Sequence, residues 1–523
     1  MPSIPSPLPY KPKRTRIDIF SAVLRAAKEF GGSKIAIVDG DERELSYKEI
    51  IRAAFALGSA LKKQTKRGEA VGIMLPTGAG AVIAFLSVLA AGRIPAMLNF
   101  TAGAANLKSA MKAAEVSKVL TAHRFVELGN LEPLMDELSD AAELVYLEDV
   151  REKLSLSDKL AGALGPIFPR MFYSSPDYRK TGVILFTSGT EGEPKGVVLS
   201  HQNIIANVEQ VRAHIGLNTE TDSVFNPLPT FHCFGLTVGA LLPIIAGVKA
   251  VFHPTPLQPR EIAKRIHTSG ATILLATDTF ISQYARAGAE GDMDTIRLAV
   301  CGAERVRDET RQLVRRKFDI EILEGYGATE ASPVVAANSP AMNKPGTVGT
   351  LMSDMDYELA PVEGIAEGGR LRIRGPNVML GYMRPDNPGV LEPTENGWHD
   401  TGDIVAVDED GCIWIRGRVK RFAKIGGEMV SLAVVENCAS AIWPDDMHAA
   451  AAIPDPRKGE QIILLTTAKG ADRGAISAWS QSHGVSELSV PRKVYHVEEI
   501  PVLGTGKIDY GAVNKLVQEY AEA

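Results

Sequence analysis

The segment FTSGTEGEPKG at residues 186–196 brings hydroxyl side chains, glycines and one lysine together directly after the apolar run GVIL. Hydroxyls and backbone N–H groups in such a turn can hold phosphate oxygens, and glycines let the backbone approach them closely. The segment is not a Walker A loop, because Lys195 is preceded by proline and followed by glycine. An ordinary strand-to-loop turn is the alternative that the segment alone leaves open. The candidate phosphate ligands are Thr187, Ser188, Gly189, Thr190, Gly192 and Lys195.

Further polar groups lie in short segments that are rich in glycine or aromatic residues. These segments are LPTFHCFG (228–235), CGAE (301–304), EGYGATE (324–330), WHDTGD (398–403), GRVKRFAKIGGE (417–428) and PVLGTGK (501–507). Taken singly, each has an ordinary structural explanation. His232 could be a satisfied core residue, Glu330 a solvent-facing turn residue and Lys507 a surface lysine. Only the set, in this order, indicates chemistry.

The elements that must position these segments are predicted by hydrophobic periodicity. Up to about residue 345, short apolar runs such as AVGIML, TILLAT and IRLAVCG alternate with helical segments, which predicts parallel sheets covered by helices on both faces. Farther on, glycine-bounded strands predict hairpins, most clearly at the DEDG turn of residues 408–411. After residue 417 we expect helix SLAVVENCAS, strands HAAAAIP and EQIILLTTA, helix AISAWSQS and strand KVYHVEE.

Composition sets the broad class. At 523 residues the chain is too long for one core. Its hydrophobic and charged fractions, 45% and 23%, are those of a soluble globular enzyme. A formal net charge of −6 gives no bias toward nucleic acid.

The cysteines and the apolar stretches indicate a cytoplasmic protein. Cys233, Cys301, Cys412 and Cys438 form no CxxC pair, so buried thiols are expected rather than a metal or disulfide framework. The proline-rich, basic N-terminus lacks the apolar core of a signal peptide. The stretches AVIAFLSVLAAG and GLTVGALLPIIAGVKAVF are predicted to be buried core helices, and peripheral membrane contact stays open.

Together and in this order, the segments resemble the adenylate-forming (AMP-binding) superfamily of acyl-CoA synthetases, luciferases and peptide-synthetase adenylation domains. The resemblance extends from about residue 20 to residue 515. It implies an α/β fold with an irregular arm at residues 1–17 and an adenylation domain at residues 18–417. That domain would combine parallel-rich sheets and helices with a small β-barrel-like subdomain. A small mobile α+β lid domain would occupy residues 418–523. It also implies ATP and Mg²⁺, formation of acyl-AMP with release of pyrophosphate, and displacement of AMP by a thiol.

The resemblance also assigns roles to individual residues. Tyr326 would stack on adenine, Asp403 would bind the ribose with help from Arg418, and Thr329 would bind the α-phosphate. Glu330 would hold Mg²⁺, a cation normally bound through one or two carboxylates and the substrate phosphates. The residues expected around the nucleotide are Thr187, Ser188, Gly189, Thr190, Lys195, Gly302, Ala303, Glu304, Tyr326, Gly327, Asp403 and Arg418.

The expected catalytic residues are Lys507, Thr329, Glu330 and His232. Lys507 would stabilise the negative charge that grows on the α-phosphate oxygens. His232 would lie beside the carboxylate and the acyl pocket. Lys420 would be the hinge of the lid domain and Lys424 part of the face presented in the second step.

The sequence leaves alternatives for the molecule that provides the acceptor thiol. FAKIGGEMVSL, AIPDPRKGE and PVLGTGK look most like acyl-acyl-carrier-protein synthetases, closest to the synthetase half of a bifunctional enzyme that is also a 2-acylglycerophosphoethanolamine acyltransferase. No histidine is followed five residues later by aspartate, so the HxxxxD acyltransferase motif is absent. A basic hinge surface would suit an acidic acyl carrier protein. It would comprise Arg416, Arg418, Lys420, Arg421 and Lys424.

That surface is equally well explained as a solvated face with two nucleotide contacts. The leading expectation is transfer of a fatty acid to a carrier protein. Coenzyme A as the acceptor is the second, and a non-catalytic nucleotide- or carrier-binding protein the third. Spacing does not give the length of the acyl chain.

Overall fold

The computed structural model describes residues 8–188, 194–363, 365, 367–425, 428–455, 459–502 and 508–522, excluding the side chains of residues 188 and 522. The candidate residues Gly189, Thr190, Gly192 and Lys507 lie outside the described residues. The chain forms two compact units. Unit one comprises Met1–Met355 and Arg374–His399, and unit two comprises Asp356–Ile373 and Asp400–Ala523. The predicted domain boundary at residue 418 stays a prediction.

The strands are numbered in chain order. They are β1 (Ile35–Val38), β2 (Glu44–Ser46), β3 (Ala70–Ile73), β4 (Ile94–Met97), β5 (Lys118–Thr121), β6 (Glu143–Tyr146), β7 (Thr181–Ser188), β8 (Pro194–Ser200), β9 (Ser223–Asn226), β10 (Lys249–Phe252), β11 (Ile273–Ala276), β12 (Leu298–Cys301), β13 (Glu321–Gly327), β14 (Val334–Ala337), β15 (Thr350–Leu351), β16 (Asp356–Ala360), β17 (Gly369–Arg374), β18 (Gly381–Arg384), β19 (Asn387–Pro393), β20 (His399–Val407), β21 (Ile413–Arg418), β22 (Phe422–Ile425), β23 (Glu428–Ser431), β24 (His448–Asp455), β25 (Gly459–Thr466) and β26 (Lys493–His496).

The α-helices follow the same scheme. They are α1 (Ile19–Phe30), α2 (Tyr47–Lys62), α3 (Ala79–Ala90), α4 (Ala104–Ala113), α5 (His123–Gly129), α6 (Glu132–Leu138), α7 (Leu147–Glu152), α8 (Leu156–Leu164), α9 (Pro169–Phe172), α10 (His201–Ile215), α11 (Leu242–Ala246), α12 (Pro259–Ser269), α13 (Asp278–Ala287), α14 (Asp308–Phe318), α15 (Leu432–Ile442), α16 (Arg473–Ser482) and α17 (Tyr510–Glu522). A π-helix over Phe234–Leu241 leads directly into α11.

Unit one is built around a nine-stranded and an eight-stranded sheet. The nine-stranded sheet has the order β15-β14-β13-β12-β11-β9-β10-β1-β2, and its segment from β13 to β1 is parallel. These strands are continuous apolar runs such as ILLA and LAVC, as expected where both faces of a sheet are covered. One buried core cluster joins residues of both sheets with residues of α1, α3 and α10.

The eight-stranded sheet has the order β19-β18-β8-β7-β4-β3-β5-β6. Strand β7 pairs in parallel with β4 and antiparallel with β8, which in turn pairs antiparallel with β18. The β7–β8 hairpin therefore lies in the interior of the sheet, with a strand on either side. Helix α10 begins at the end of β8 with a capping box of Ser200 and Asn203, which satisfies exposed N–H groups of its first turn.

Unit two contains a four-stranded sheet of order β16-β17-β20-β21 where the β-barrel-like subdomain was expected. Strands β20 and β21 form the hairpin predicted at the DEDG turn. Farther along the chain, β22 to β26 form a five-stranded sheet, on which α15, α16 and α17 pack through two small core clusters. Each element predicted after residue 417 is present.

The two long apolar stretches are buried. Helix α3 covers the first stretch and is buried on nearly all sides. The second stretch is not one helix as predicted: the π-helix and α11 end at Gly247, where the backbone is left-handed, and the remainder is strand β10. In the described part of the chain, no helix combines the length and apolar character that crossing a bilayer requires. All four cysteines are buried free thiols, as predicted.

Candidate active site

The described residues of the predicted phosphate segment form the end of β7 and the beginning of β8. Thr187 and Lys195 are directly opposite each other in the antiparallel register. Such partners on neighbouring strands project from the same face of the sheet. The Lys195 Nζ lies 5.7 Å from the centroid of the Tyr382 ring on β18. Thr187 and Lys195 are thus presented together, while the rest of the candidate cradle lies outside the described residues or, for Ser188, is described only in its backbone.

The CGAE segment leaves the carboxyl end of β12, beside the end of β13. A Cβ on Gly302 would lie 3.5 Å from Phe234 Cε1 and 3.6 Å from the Gly325 carbonyl oxygen, so three predicted segments meet at this point. Ala303 is exposed in the left-handed region, with φ of 70°, a backbone conformation that is uncommon for alanine. A carboxylate oxygen of Glu304 accepts the Thr279 N–H of α13 at 3.0 Å.

The turn after β13 presents Tyr326, Thr329 and Glu330, all half-buried. Residue 327 must be glycine, because a Cβ there would lie 2.4 Å from the Pro333 carbonyl oxygen. Thr329 starts a short 3₁₀ turn that ends at Ala331, and β14 then returns antiparallel to β13. The sequence EGYGATE therefore folds as a tight reversal that projects side chains from the carboxyl edge of the sheet, where open α/β sheets bind their ligands.

Buried amide side chains hold this turn, and sequence analysis missed them. Asn377 Nδ2 donates to the Ala331 carbonyl at 2.8 Å and to the Val334 carbonyl at 3.1 Å. Asn207 of α10 exchanges two hydrogen bonds with the backbone of Val334, and the Ser332 hydroxyl donates to the Asn377 carbonyl at 2.8 Å. Both amides are fully buried. The turn is thus fixed by residues 43 to 127 positions away in sequence.

A second missed contact reaches Glu330 directly. The Tyr382 hydroxyl donates to Glu330 Oε1 at 2.7 Å, and the Met379 N–H donates to the Glu330 carbonyl at 2.8 Å. Burial, reinforced by the Glu330 carboxylate, raises the pKa of Tyr382, so its phenol stays protonated and acts as the donor. The same tyrosine ring faces Lys195. Tyr382 therefore connects Lys195 of the β7–β8 hairpin to Glu330, the carboxylate that is predicted to hold Mg²⁺.

His232 lies immediately before the π-helix and beside Phe231, with ring centroids 4.7 Å apart. The helix packs closely on the end of β9, since a Cβ on Gly239 would lie 2.2 Å from Asn226 Nδ2. π-Helical turns occur frequently at functional sites. Burial raises the pKa of the adjacent Cys233 thiol to about 12, with a smaller contribution from the Glu330 carboxylate. The approach of Gly302 to Phe234, the first residue of the π-helix, places the His232 segment beside the CGAE and EGYGATE segments.

In unit two, Asp403 of β20 and Arg418 of β21 are cross-strand partners. Arg418 Nε donates to Asp403 Oδ1 at 2.9 Å, and the predicted role of the two residues at the ribose stays a prediction. The Asp403 carboxylate is almost fully buried, whereas the arginine is more than half exposed.

The predicted basic hinge surface is only partly present. Arg421 does not belong to it, because its guanidinium lies 3.6 Å from the centroid of the Tyr510 ring and donates to Glu436 at 2.6 Å. Lys424 pairs with Glu363, with a separation of 3.6 Å between Nζ and Oε2, and Arg418 pairs with Asp403. The charge run therefore forms local ion pairs rather than a uniform cationic patch.

The donor set fits Mg²⁺ and a nucleotide. Glu330 supplies one oriented carboxylate, Thr329 a hydroxyl and Lys195 a cation, and the glycines at positions 302 and 327 leave room at the backbone. One carboxylate together with substrate phosphates is a common way to hold Mg²⁺. Unit one can therefore bring an anionic substrate against a hydroxyl, an amine and a carboxylate.

Comparison with known proteins identifies the family. The family model described as AMP-binding enzyme matches residues 23–383. The chain is 28% identical over 481 residues to a long-chain-fatty-acid–CoA ligase of Salmonella typhimurium, covering 85% of this chain and 84% of that protein. It is 27% identical over 507 residues to a long-chain-fatty-acid–CoA ligase of Bacillus subtilis, covering 89% of each.

The solved structures support the predicted α/β fold. ATP-bound MatB from Rhodopseudomonas palustris superposes with a TM-score of 0.81 at 22% identity, covering 97% of this chain and 99% of that one. The expected class, an AMP-forming acid–thiol ligase, is confirmed by the family match together with the relatives. A family model that spans well over half of the chain leaves one conclusion: this protein belongs to the AMP-binding enzyme family.

Proposed function

We propose that the protein ligates a fatty acid to coenzyme A at the expense of ATP. A carboxylate oxygen of the acid attacks the α-phosphorus, the bond to the β-phosphate oxygen breaks, and acyl-AMP and pyrophosphate result. The coenzyme A thiolate then attacks the acyl carbon, and AMP leaves with the electrons of the broken acyl–oxygen bond. Both curated relatives described above carry the name long-chain-fatty-acid–CoA ligase.

One observation carries the first step. The EGYGATE turn, the CGAE segment and the His232 segment meet at the carboxyl edge of one sheet, and Tyr382 links the turn to Lys195 of the hairpin. In this proposal Tyr326, Gly302, Ala303 and Glu304 line the adenine site. Thr187, Ser188, Gly189, Thr190 and Lys195 hold the departing phosphates.

The remaining roles complete the proposed reaction. Thr329 binds the α-phosphate, and Glu330 holds Mg²⁺, which neutralises phosphate charge when bound. Lys507 stabilises the charge that develops on the α-phosphate. Asp403 binds the ribose hydroxyls, and His232 lies at the acyl carboxylate. Lys420 and Lys424 serve the second step.

Coenzyme A is preferred to a carrier protein as the acceptor for two reasons. The relatives are named as coenzyme A ligases. In addition, the charge argument for an acidic carrier protein is weakened, since Arg421 is bound to Glu436 and Lys424 to Glu363. Steering of an acidic partner needs a net field, which local ion pairs diminish.

The test is a product assay with two acceptors in parallel. Purified protein is given ATP, Mg²⁺ and fatty acids of graded chain length, with either coenzyme A or holo-acyl carrier protein. We expect acyl-CoA as the product, and acyl carrier protein as the only productive acceptor would refute the acceptor assignment.

Two variants test the adenylation step itself. Lys507→Ala and Glu330→Gln should each suppress release of pyrophosphate that depends on fatty acid. The exposed Glu290 provides a matched control, because Glu290→Gln makes the same chemical change outside the site. Wild-type rates in the two site variants would show that the assigned residues do not perform adenylation.

A further inference from the structure

Helices α8 and α9 of unit one, together with the residues that connect them, present large apolar side chains to solvent. Their exposed fractions range from 38% to 76%. We call this set the leucine face: Leu156, Leu160, Leu164, Ile167, Phe168 and Met171. A contiguous exposed apolar surface on a soluble protein commonly marks an interaction site.

The orientation of α8 is the reverse of that of an ordinary surface helix. Its leucines recur at every fourth position and face outward, while its inward side carries small or polar residues. A Cβ on Gly162 would lie 3.0 Å from Ala56 Cβ, so the glycine is what allows α8 to lie closely against α2. Asp158 accepts hydrogen bonds from Ser59 of α2 and from Lys63, the residue that follows α2, both at 2.7 Å. The packing of α8 on α2 is therefore achieved by small and polar side chains.

The charges around the leucine face are mostly positive. Between residues 151 and 172 the exposed charged side chains are Arg151, Lys153, Lys159 and Arg170, against one exposed acid, Glu152. The other acid of this stretch, Asp158, is buried in its ion pair with Lys63. An apolar surface edged by cations is complementary to a bilayer that contains anionic lipid, because the acyl region accepts the leucines and the headgroups accept the lysines and arginine.

A second copy of the chain is a poorer occupant. Pairing the leucine face with itself about a two-fold axis would bring the same cationic edge of both copies to one interface. Like charges at such a boundary oppose association. The charge pattern therefore favours lipid.

We propose that the leucine face docks unit one on an anionic lipid surface. The docking is peripheral: α8 and α9 lie in the plane of the headgroups with their apolar side chains in the outer acyl region. Fatty acid, the substrate class of the proposed function, partitions into the same lipid phase. Docking itself requires neither ATP nor catalysis, so it is measured independently of that function.

The experiment is sedimentation with vesicles in the absence of ATP and fatty acid. We expect binding to vesicles of phosphatidylcholine and phosphatidylglycerol and much weaker binding to phosphatidylcholine alone. Leu156→Ser/Leu160→Ser/Met171→Ser should weaken binding by about tenfold or more, since each serine removes an inserted apolar side chain. The matched control is Leu257→Ser, because Leu257 is equally exposed, at 67%, but lies outside the leucine face.

Charge reversal tests the headgroup contribution separately. Lys159→Glu/Arg170→Glu should abolish the preference for anionic vesicles, with a loss of roughly fivefold or more per residue. Lys264→Glu, at an exposed position on α12, is the charge control. All variants should retain wild-type release of pyrophosphate with a water-soluble short-chain acid, which shows that the protein is folded.

Two results would overturn the proposal. One is wild-type binding to anionic vesicles by the serine and glutamate variants. The other is conversion of a dimer to a monomer by the serine variant with vesicle binding unchanged, which would assign the face to self-association. Loss of acyl-CoA synthesis in every preparation, with vesicle binding intact, would instead refute the proposed function alone.

Discussion

Removing the Tyr382 hydroxyl should weaken the use of Mg²⁺ without unfolding the protein. The phenol donates to Glu330 Oε1 at 2.7 Å, and Tyr382→Phe deletes this bond while retaining the ring that faces Lys195. A hydrogen bond to a charged group contributes about 1.5–3 kcal/mol. Groups that orient a metal ligand typically change affinity or activity by ~10–100-fold when removed. We therefore expect kcat/KM for Mg–ATP to decrease by ~10–100-fold.

The assay is release of pyrophosphate at fixed ATP and fatty acid, with free Mg²⁺ varied. If Tyr382 orients the metal ligand, its loss should raise the Mg²⁺ concentration needed for half-maximal rate. General destabilisation should lower only the maximal rate. Tyr357, an exposed tyrosine of β16, supplies the control Tyr357→Phe. Thermal unfolding of each variant checks the fold. An unchanged Mg²⁺ dependence in Tyr382→Phe would show that Tyr382 does not orient the metal-binding carboxylate.

Three further predictions follow from buried polar groups. Asn377→Ala removes the donor to two buried carbonyls and should lower the free energy of unfolding by roughly 2–4 kcal/mol in urea titrations; Asn377→Asp, which keeps the shape but removes the amide donor, should not restore it. Burial lowers the pKa of His201 from 6.5 to about 4, so the unfolded state binds the additional proton. The contribution of the neutral His201 side chain to stability is complete above the pKa that this histidine has in the unfolded state, and it is lost as the pH falls toward 4. Between pH 7.5 and pH 5, wild type should lose about 2 kcal/mol more unfolding free energy than His201→Gln, and equal losses would contradict the assignment. Arg421→Ala removes the cationic partner of the half-buried Glu436 carboxylate, which keeps hydrogen bonds from the Ala450 N–H and the Tyr510 hydroxyl, and should lower the free energy of unfolding by about 1.5–3 kcal/mol; adding Glu436→Gln should recover much of the loss, and no recovery would show that the pair is not the cause.

The sequence was most informative where structure is local. Alternation of apolar runs and helices predicted parallel sheets, and the strands carrying CGAE and EGYGATE do lie side by side. The DEDG turn predicted the β20–β21 hairpin, which places Asp403 opposite Arg418. In each case a short pattern determines an element, and the element positions the polar residues.

What escaped prediction depends on contacts between distant segments. Tyr382 reaches Glu330 across 52 positions, and Asn207 reaches Val334 across 127. No periodicity marks either residue, because an isolated tyrosine or asparagine has many ordinary explanations. Arg421 was misassigned for the same reason: its position in a basic run does not show that Glu436 lies on a facing helix.

The interior position of the β7–β8 hairpin has a consequence for loop engineering. Thr187 and Lys195 belong to paired strands, and those strands are flanked by β4 and β18. Their spacing is therefore set by the ladder rather than by residues 189–193. Those five positions can be lengthened, shortened or randomised as a cassette while the two side chains keep their separation. A library confined to these five positions would vary the proposed phosphate contacts while Thr187 and Lys195 stay paired.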